Sequence, residues 1–120
     1  MKLFESGEDY LERILILKER NEQVRSIDIV NDMGFSKPSV SVAMKKLKES
    51  GYIEIDKNGF ITLTEEGQQI ASRVYERHQL LTKLFVSLGV DEETAMKDAC
   101  KVEHDLSEET FQAIKAKMNK

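Results

Sequence analysis

The residues best suited to chemistry are a cysteine, a glutamate and a histidine close together in the sequence: Cys100, Glu103 and His104. On an α-helix with about 3.6 residues per turn, positions i, i+3 and i+4 share one face, so the three side chains are predicted to converge. Thiolate and imidazole suit Zn or Fe, while carboxylate accepts Mn and Fe alike. One helix face supplies only part of a coordination shell. The pattern therefore predicts a metal site with further ligands elsewhere in the chain.

The composition favours a small globular protein. The 120 residues, 40% hydrophobic and 33% charged, suffice for one compact domain or two small helical subdomains. No apolar run approaches the roughly 20 residues of a membrane-spanning helix, and a lone cysteine agrees with a reducing compartment, so a cytoplasmic protein without a membrane partner is expected. The net charge of −4 argues against indiscriminate polyanion binding, but a local DNA-binding surface remains possible.

A helix-turn-helix is predicted in the first half of the chain. Ser26 is predicted to cap a helix that Gly34 ends. Ser36 is predicted to cap a second helix with Pro38 in its first turn, where a missing N–H costs nothing, and Gly51 is predicted to stop it. The inward positions of this second helix are predicted to be Val40, Met44 and Leu47.

A hairpin is predicted directly after the second helix. Residues 52–56 and 60–64 alternate in polarity around Asn58-Gly59, a strong hairpin signal, so the hairpin is interpreted as the wing of a winged helix. Lysines and helix N-termini can hold phosphates, and short hydroxyls can reach base edges, although a solvated lysine face on a generic three-helix domain is the alternative. The predicted DNA-binding residues are Arg25, Ser36, Lys37, Pro38, Ser39, Ser41, Lys45, Lys46 and Lys57.

The rest of the chain is predicted to be helical, which makes the fold class mainly α. A first helix over about residues 7–20 carries Asp9 and Glu12 one turn apart, and a long helix after Thr64 carries His78 in its middle. Two further capped helices follow. Taken alone, the two acids suit a solvated helix face, and an isolated histidine is more often a surface or core residue than a ligand.

Several segments, taken together and in this order, resemble the metal-dependent repressor family that includes the diphtheria toxin repressor and the manganese transport regulator. The segments are EDYLE at 8–12, SKPSVS at 36–41, LTEEG at 63–67, RH at 77–78 and CKVEHDLS at 100–107. The resemblance covers essentially the whole chain and favours the short, two-domain form of the family. It implies a winged helix-turn-helix DNA-binding domain over residues 1–66 and a helical metal-binding and dimerisation domain over residues 67–120.

The resemblance also implies a function. The chain is expected to be a homodimeric, metal-activated transcriptional repressor that binds double-stranded operator DNA of metal-homeostasis genes. No enzymatic activity and no small-molecule substrate are expected. One ion bound by both domains would join the DNA-reading half to the dimerising half and set the spacing of the two recognition helices, about 34–36 Å in such dimers.

The ligand set implied by the resemblance mixes two types of family member. Asp9 and Glu12 match the first-helix ligands of the manganese-type members, whereas Cys100 matches the iron-type members. The ancillary site of the iron type is put in doubt, because Thr82 and Met96 stand where it has an acid and a histidine. The implied metal ligands are Asp9, Glu12, His78, Cys100, Glu103 and His104.

The choice of metal follows from this mixture. Cys100 favours Fe(II) and the first-helix acids favour Mn(II), and Fe(II) is narrowly preferred; Zn(II) or Co(II) can bind in vitro because affinities rise along the first-row series. Two alternatives stay open. One is a winged-helix regulator controlled by a small ligand or partner without metal, with Cys100 as a buried apolar residue. The other is an enzyme with Cys100 as nucleophile and His104 as base, for which no glycine-rich loop is visible.

Overall fold

The computed structural model describes residues 5–119, which form six α-helices and one two-stranded sheet. Two compact units meet between residues 72 and 73, inside the fourth helix. The elements are α1 (Glu5–Asn21), α2 (Ser26–Met33), α3 (Lys37–Glu49), β1 (Ile53–Ile55), β2 (Ile61–Leu63), α4 (Glu65–Ser87), α5 (Glu92–Val102) and α6 (Glu108–Met118). The mainly α class, with a winged helix-turn-helix followed by a helical domain, is confirmed. The boundary after residue 66 stays a prediction.

The core of the first unit lies between α1, the helix-turn-helix and the sheet. The apolar face of α1 packs against α2 and β2, while α3 packs against α2 and β1. Each fully buried Leu, Ile or Val side chain contributes about 1.5–3 kcal/mol relative to exposure. The buried residues include Leu11, Ile14, Ile29, Val40, Met44, Leu47, Ile53 and Ile61. The three inward positions predicted for α3 are therefore confirmed.

The start of α2 differs from the prediction, because Arg25 and not Ser26 is its N-cap. The carboxylate of Asp28 accepts a hydrogen bond from the backbone N–H of Arg25 at 2.8 Å, which satisfies a donor that the helix leaves open. Gly34 ends α2 with φ 74°, a left-handed conformation that glycine adopts without cost. The prediction that the Ser26 hydroxyl caps this helix was wrong, because the Asp28 carboxylate in the first turn bonds to the backbone of the N-cap residue instead.

The N-cap of α3 is Ser36, as predicted. Its Oγ accepts a hydrogen bond from the backbone N–H of Ser39 at 3.3 Å, and Pro38 lies in the first turn. The Ser36 hydroxyl also donates to the Ser39 hydroxyl at 2.8 Å. These bonds fix the N-terminal end of α3 locally.

The predicted hairpin is also confirmed. β1 and β2 are antiparallel, with Ile53 opposite Leu63 and Ile55 opposite Ile61. In the connecting loop, the carboxylate of Asp56 accepts hydrogen bonds from the backbone N–H groups of residues 58 and 60, at 2.8 and 3.0 Å. Local contacts of one aspartate therefore close the loop.

The junction between the hairpin and α4 is a close backbone approach. The Thr64 hydroxyl donates to the carbonyl of Gly51 at 2.7 Å and accepts from the N–H of Gly67 at 3.2 Å. A Cβ atom at residue 67 would overlap the carbonyl oxygen of Tyr52. The small size of Gly67 thus lets the first turn of α4 lie directly against the backbone of Tyr52, between α3 and β1.

The second unit contains the C-terminal part of α4 together with α5 and α6. Asp91 caps α5 by accepting from the backbone N–H of Thr94 at 3.1 Å, and Ser107 caps α6 by accepting from the N–H of Thr110 at 3.1 Å. Its buried side chains include Val74, Leu81, Ala95, Ala99 and Phe111. No helix among residues 5–119 is long and apolar enough to span a membrane.

Candidate metal centre and nucleic-acid interface

The predicted DNA-binding residues all lie on the surface of the first unit. The nine side chains are exposed, and most of them belong to α3 or its N-cap. Lys57 lies in the hairpin loop, and the guanidinium carbon of Arg25 lies 4.3 Å from the ring centroid of Phe60. That cation–π contact links the start of α2 to the hairpin and orients the arginine. The role of the nine predicted residues in DNA binding stays a prediction.

One residue of this surface was missed by sequence reasoning. Val42 on α3 is 54% exposed, and it lines a shallow groove with Pro38, Ser39, Ala43 and Lys46. Positions 39, 42 and 46 are spaced i, i+3 and i+7, so they share one helix face. An exposed methyl group there can contact a thymine methyl in a major groove. The signal in the sequence was an apolar residue on the hydroxyl-rich side of the predicted helix.

Two of the predicted metal ligands lie in the first unit, on α1. Asp9 is half-buried and Glu12 is 5% exposed, one helical turn further along. A carboxylate removed from water is costly unless a cation or hydrogen-bond donors compensate its charge. The burial of Glu12 therefore argues against the simple solvated acidic face that the sequence also allowed.

In the second unit, three of the predicted ligands meet around one carboxylate. Glu103 is only 1% exposed. Its Oε2 lies 3.0 Å from Nδ1 of His78, and its Oε1 lies 3.5 Å from Nε2 of His104. A buried carboxylate flanked by two imidazoles is a donor set that first-row divalent ions accept, so these residues fit a metal ligand role.

The local backbone at this cluster differs from the prediction of one continuous helix face. Cys100 lies in the last turn of α5 and is half-buried, but the helix ends at Val102. Glu103 is the C-cap, its N–H donating to the carbonyl of Ala99 at 2.9 Å, and His104 lies in the turn that follows. The expectation that all three side chains lie within a helix was therefore wrong. The imidazole of His104 nevertheless lies beside the carboxylate of Glu103.

The positions of the ancillary iron-type site carry no ionisable ligand here. The Thr82 hydroxyl donates to the carbonyl of His78 at 2.7 Å, a bond within α4. Met96 is 45% exposed on α5. These observations agree with the doubt that the sequence raised about that second site.

A buried arginine next to His78 was also missed. Arg77 is 7% exposed and donates hydrogen bonds to the turn that carries Glu103 and His104. The sequence offered a weak signal, since the Arg77-His78 pair belongs to the segments that carry the family resemblance. Its contacts with residues far along the chain were not predictable from local pattern.

Comparison with known proteins finds two family models that together match nearly the whole chain. The model of the iron dependent repressor N-terminal DNA binding domain matches residues 2–60. The model of the iron dependent repressor metal binding and dimerisation domain matches residues 64–120. An uncharacterised HTH-type transcriptional regulator of Methanocaldococcus jannaschii is 37% identical over 118 residues, which cover 97% of this chain and 94% of the relative. The transcriptional regulator MntR of Escherichia coli O157:H7 is 36% identical over 108 residues, covering 90% and 70%.

Solved structures show the same fold. The manganese regulator SloR is 32% identical with a TM-score of 0.82, over 94% of this chain and 53% of that protein. A manganese-dependent transcriptional repressor in complex with manganese is 29% identical with a TM-score of 0.85, over 94% and 52%. The chain thus spans about half the length of these solved relatives.

These matches define the class as metal-dependent transcriptional repressors, which are not enzymes. The chain belongs to the family of the diphtheria toxin repressor and MntR, with a DNA-binding domain followed by a metal-binding and dimerisation domain. The resemblance read from the sequence is confirmed.

Proposed function

We propose that this chain acts in the cytoplasm as a homodimer that binds operator DNA of metal-homeostasis genes when Mn(II) or Fe(II) is bound. The observation that carries the proposal is the buried carboxylate of Glu103 between His78 and His104. It lies in the segment that matches the metal-binding and dimerisation domain of the family. A divalent cation would compensate the charge of that carboxylate, and the imidazoles and thiolate would complete its donor set.

The proposed ligands come from both units of the chain. His78, Cys100, Glu103 and His104 belong to the second unit, and the first unit would contribute the acids of α1, Asp9 and Glu12. Without an ion these carboxylates would repel one another. A bound divalent cation would attract each of them and offset that repulsion. The free energy of metal binding can in this way favour one arrangement of the two recognition helices. A coupling of about 1–3 kcal/mol would change operator affinity about 5–150-fold.

The effector is proposed to be Mn(II) or Fe(II), without a preference. The narrow preference for Fe(II) expected from Cys100 receives no support from the relatives, since both solved structures compared above are named for manganese. Mn(II) is at least as good a candidate, because carboxylate oxygens suit it well. Zn(II) and Co(II) are expected to bind the purified protein more tightly than Mn(II), whatever the effector in the cell.

DNA is proposed to bind at the face of α3. Its N-terminus, with Ser36, Ser39 and Ser41, would approach phosphates or base edges, and the lysines would contact the backbone. Arg25 and Lys57 would contact phosphates beside this groove. All of these side chains are exposed, as a DNA-contacting surface requires.

The dimer interface is proposed to lie on the second unit. Its surface carries several exposed large apolar side chains, and dimer formation would remove apolar surface from water. The exposed apolar residues are Val86, Leu88, Met96 and Val102, of which Leu88 is 71% exposed. A dimer formed there would present two copies of α3 to successive half-sites of one operator.

Selection of binding sites from a random-sequence duplex library, made separately with Mn(II) and Fe(II), tests the proposal. The selected duplex is then titrated with protein in chelator and at buffered free concentrations of Mn(II), Fe(II), Zn(II) and Co(II). At least about a 5-fold gain in affinity with one of these ions is expected, within the range of ordinary allosteric coupling. Equal affinity in chelator and in every metal would overturn the proposal.

A matched variant separates DNA contact from the response to metal in the same experiment. Lys46→Gln is expected to weaken binding at every metal concentration and to reduce the slope of log affinity against log salt by about 0.9, because one phosphate contact is lost. It should leave the metal concentration for half-maximal binding unchanged. Lys97→Gln, an exposed lysine of the second unit paired with Glu93, serves as control and should change neither quantity.

A further inference from the structure

Arg77 makes a dense set of contacts in the second unit. Its Nη1 donates to the carbonyl of Glu103 at 3.1 Å and to the carbonyl of Leu106 at 2.7 Å. Its Nη2 donates to the carboxylate of Glu108 at 2.7 Å, and its guanidinium lies 5.1 Å from the ring centroid of Phe111. One side chain of α4 thus holds the backbone between α5 and α6 at two points and the start of α6 at a third.

These contacts bear directly on Glu103. Its carboxylate lies 3.0 Å from His78, and its carbonyl accepts from Arg77, the preceding residue of α4. Two consecutive residues of one helix therefore hold opposite ends of the same glutamate. Because Glu103 lies beyond the last helical residue of α5, intrahelical hydrogen bonds alone do not fix its carbonyl.

The chemistry of arginine suits this position. A guanidinium presents five donors in a rigid planar fork, so it can serve two carbonyls and a carboxylate together, which a lysine ammonium does with poorer geometry. Its positive charge also complements the partial negative charge at the C-terminal end of α5. The next residue, His104, lies in the same turn between the two carbonyls that Arg77 holds.

We propose that Arg77 is a positioning residue that sets metal affinity by fixing the turn bearing Glu103 and His104. Arg77 is not itself a ligand, and this proposal rests on the proposed function of that cluster as a metal site. Residues that orient metal ligands typically change metal affinity about 10–100-fold when they are mutated. Arg77→Met, which keeps the apolar stem and removes all donors, is expected to lower Mn(II) and Co(II) affinity by about that factor.

The experiment measures Co(II) and Mn(II) affinity by competition with a chromophoric chelator, together with the visible absorption spectrum of the Co(II) protein. Arg77→Lys is expected to fall between wild type and Arg77→Met, with an altered Co(II) spectrum. Glu76→Gln is the matched control. Glu76 precedes Arg77 on α4 and pairs with Lys115 of α6 at 3.1 Å, but that pair lies outside the turn. Its loss should leave metal affinity within about 2-fold, since an exposed pair contributes little.

Urea unfolding of the metal-free variants separates positioning from a merely structural role. A structural role would lower the free energy of unfolding while folded protein keeps the wild-type metal affinity and Co(II) spectrum, and that result with either variant would overturn the proposal. If Arg77→Met does not fold, Arg77→Lys decides by the same criteria. If wild type binds neither ion, the proposed function itself fails, an outcome distinct from unchanged affinity in the variants.

Discussion

The two units hold their functional side chains in different ways. In the first unit, α3 and the hairpin are fixed by hydrogen bonds between residues two to four apart, such as Ser36 with Ser39, and the predicted DNA-binding residues are exposed. In the second unit, Glu103 is buried and bonded to His78, 25 positions away, while Arg77 reaches residues 29 and 31 positions away. A surface for a large partner can be presented by local structure. A pocket for a small ion has to be assembled by tertiary contacts.

Glu103→Gln tests this comparison with the largest expected effect. Glutamine keeps the size and one acceptor oxygen of glutamate but loses the charge, so metal affinity is expected to fall at least about 100-fold, or about 2.7 kcal/mol. The metal-free protein should be as stable as wild type or more stable, because a buried charge has been removed. Metal titration and urea unfolding of the metal-free protein measure the two effects.

The control for this variant is Glu109→Gln, which removes the charge of an exposed glutamate of α6. It should change neither quantity. If Glu103→Gln bound metal normally and unfolded more readily without metal, the cluster would be a structural ion pair, and the contrast between the two units would disappear.

Gly67→Ala is the corresponding test of the first unit. The added methyl group would overlap the carbonyl oxygen of Tyr52, so the junction of the hairpin and α4 must shift, at a cost of about 2 kcal/mol. Gln69→Ala, at an exposed position two residues later, should instead be neutral or slightly stabilising. Urea unfolding measures both.

Amide hydrogen exchange measures which helices and strands lose protection in Gly67→Ala. Protection should fall in α3 and the hairpin, which pack on this junction, and stay close to wild type in α5 and α6. Equal loss of protection in both units would show that they unfold together, and the contrast between the two units would then not extend to stability.

Most of the fold of the first unit was predictable because its signals are local. A hydroxyl before a proline predicted the N-cap at Ser36, and Asn58-Gly59 between alternating residues predicted the hairpin. The exception was the start of α2, where Ser26 looked like the cap. An acid three residues after Arg25 satisfies the backbone instead, and both arrangements have ordinary sequence signatures.

For the cluster around Glu103 in the second unit, the sequence predicted which residues belong to it better than it predicted their geometry. Helical spacing selected Cys100, Glu103 and His104, but it did not predict that α5 ends at Val102. Arg77 donates a hydrogen bond to the carbonyl of Glu103, 26 positions away, and no local sequence pattern predicts that contact. The last carbonyl groups of a helix can accept hydrogen bonds from residues far along the chain. Helical spacing alone therefore does not predict the residue at which a helix ends.

Matched serine caps give a finer comparison between the units. Ser36→Ala and Ser107→Ala each remove the hydroxyl that caps a helix, at a cost of about 1 kcal/mol of stability. Their functional effects should differ. Ser36→Ala should weaken DNA binding at saturating metal and leave metal affinity unchanged. Ser107→Ala should instead weaken metal binding, because Ser107 fixes the start of α6 three residues after His104. A shared effect on both affinities would contradict this separation.

The smallest expected effect concerns pH and the cap of α5. Hydrogen bonds from the Thr94 hydroxyl and backbone N–H to the Asp91 carboxylate lower the pKa of Asp91 below its ordinary value. Because the folded-state pKa lies below the unfolded one, this stabilisation is fully present above the unfolded pKa of about 3.9 and is lost as pH falls through the folded value. Asp91→Asn keeps a good cap that does not titrate.

Urea unfolding from about pH 6 down to about pH 3 should therefore show wild type losing stability relative to Asp91→Asn as the carboxylate protonates. Glu108 of the same unit adds a parallel loss in both proteins, because its bonds to Gln112 and Arg77 also lower its pKa. The difference between the two curves isolates Asp91. Curves that stay parallel over this range would show that the cap depends on the shape of the side chain and not on its charge, which would make it equivalent to the serine cap of α3.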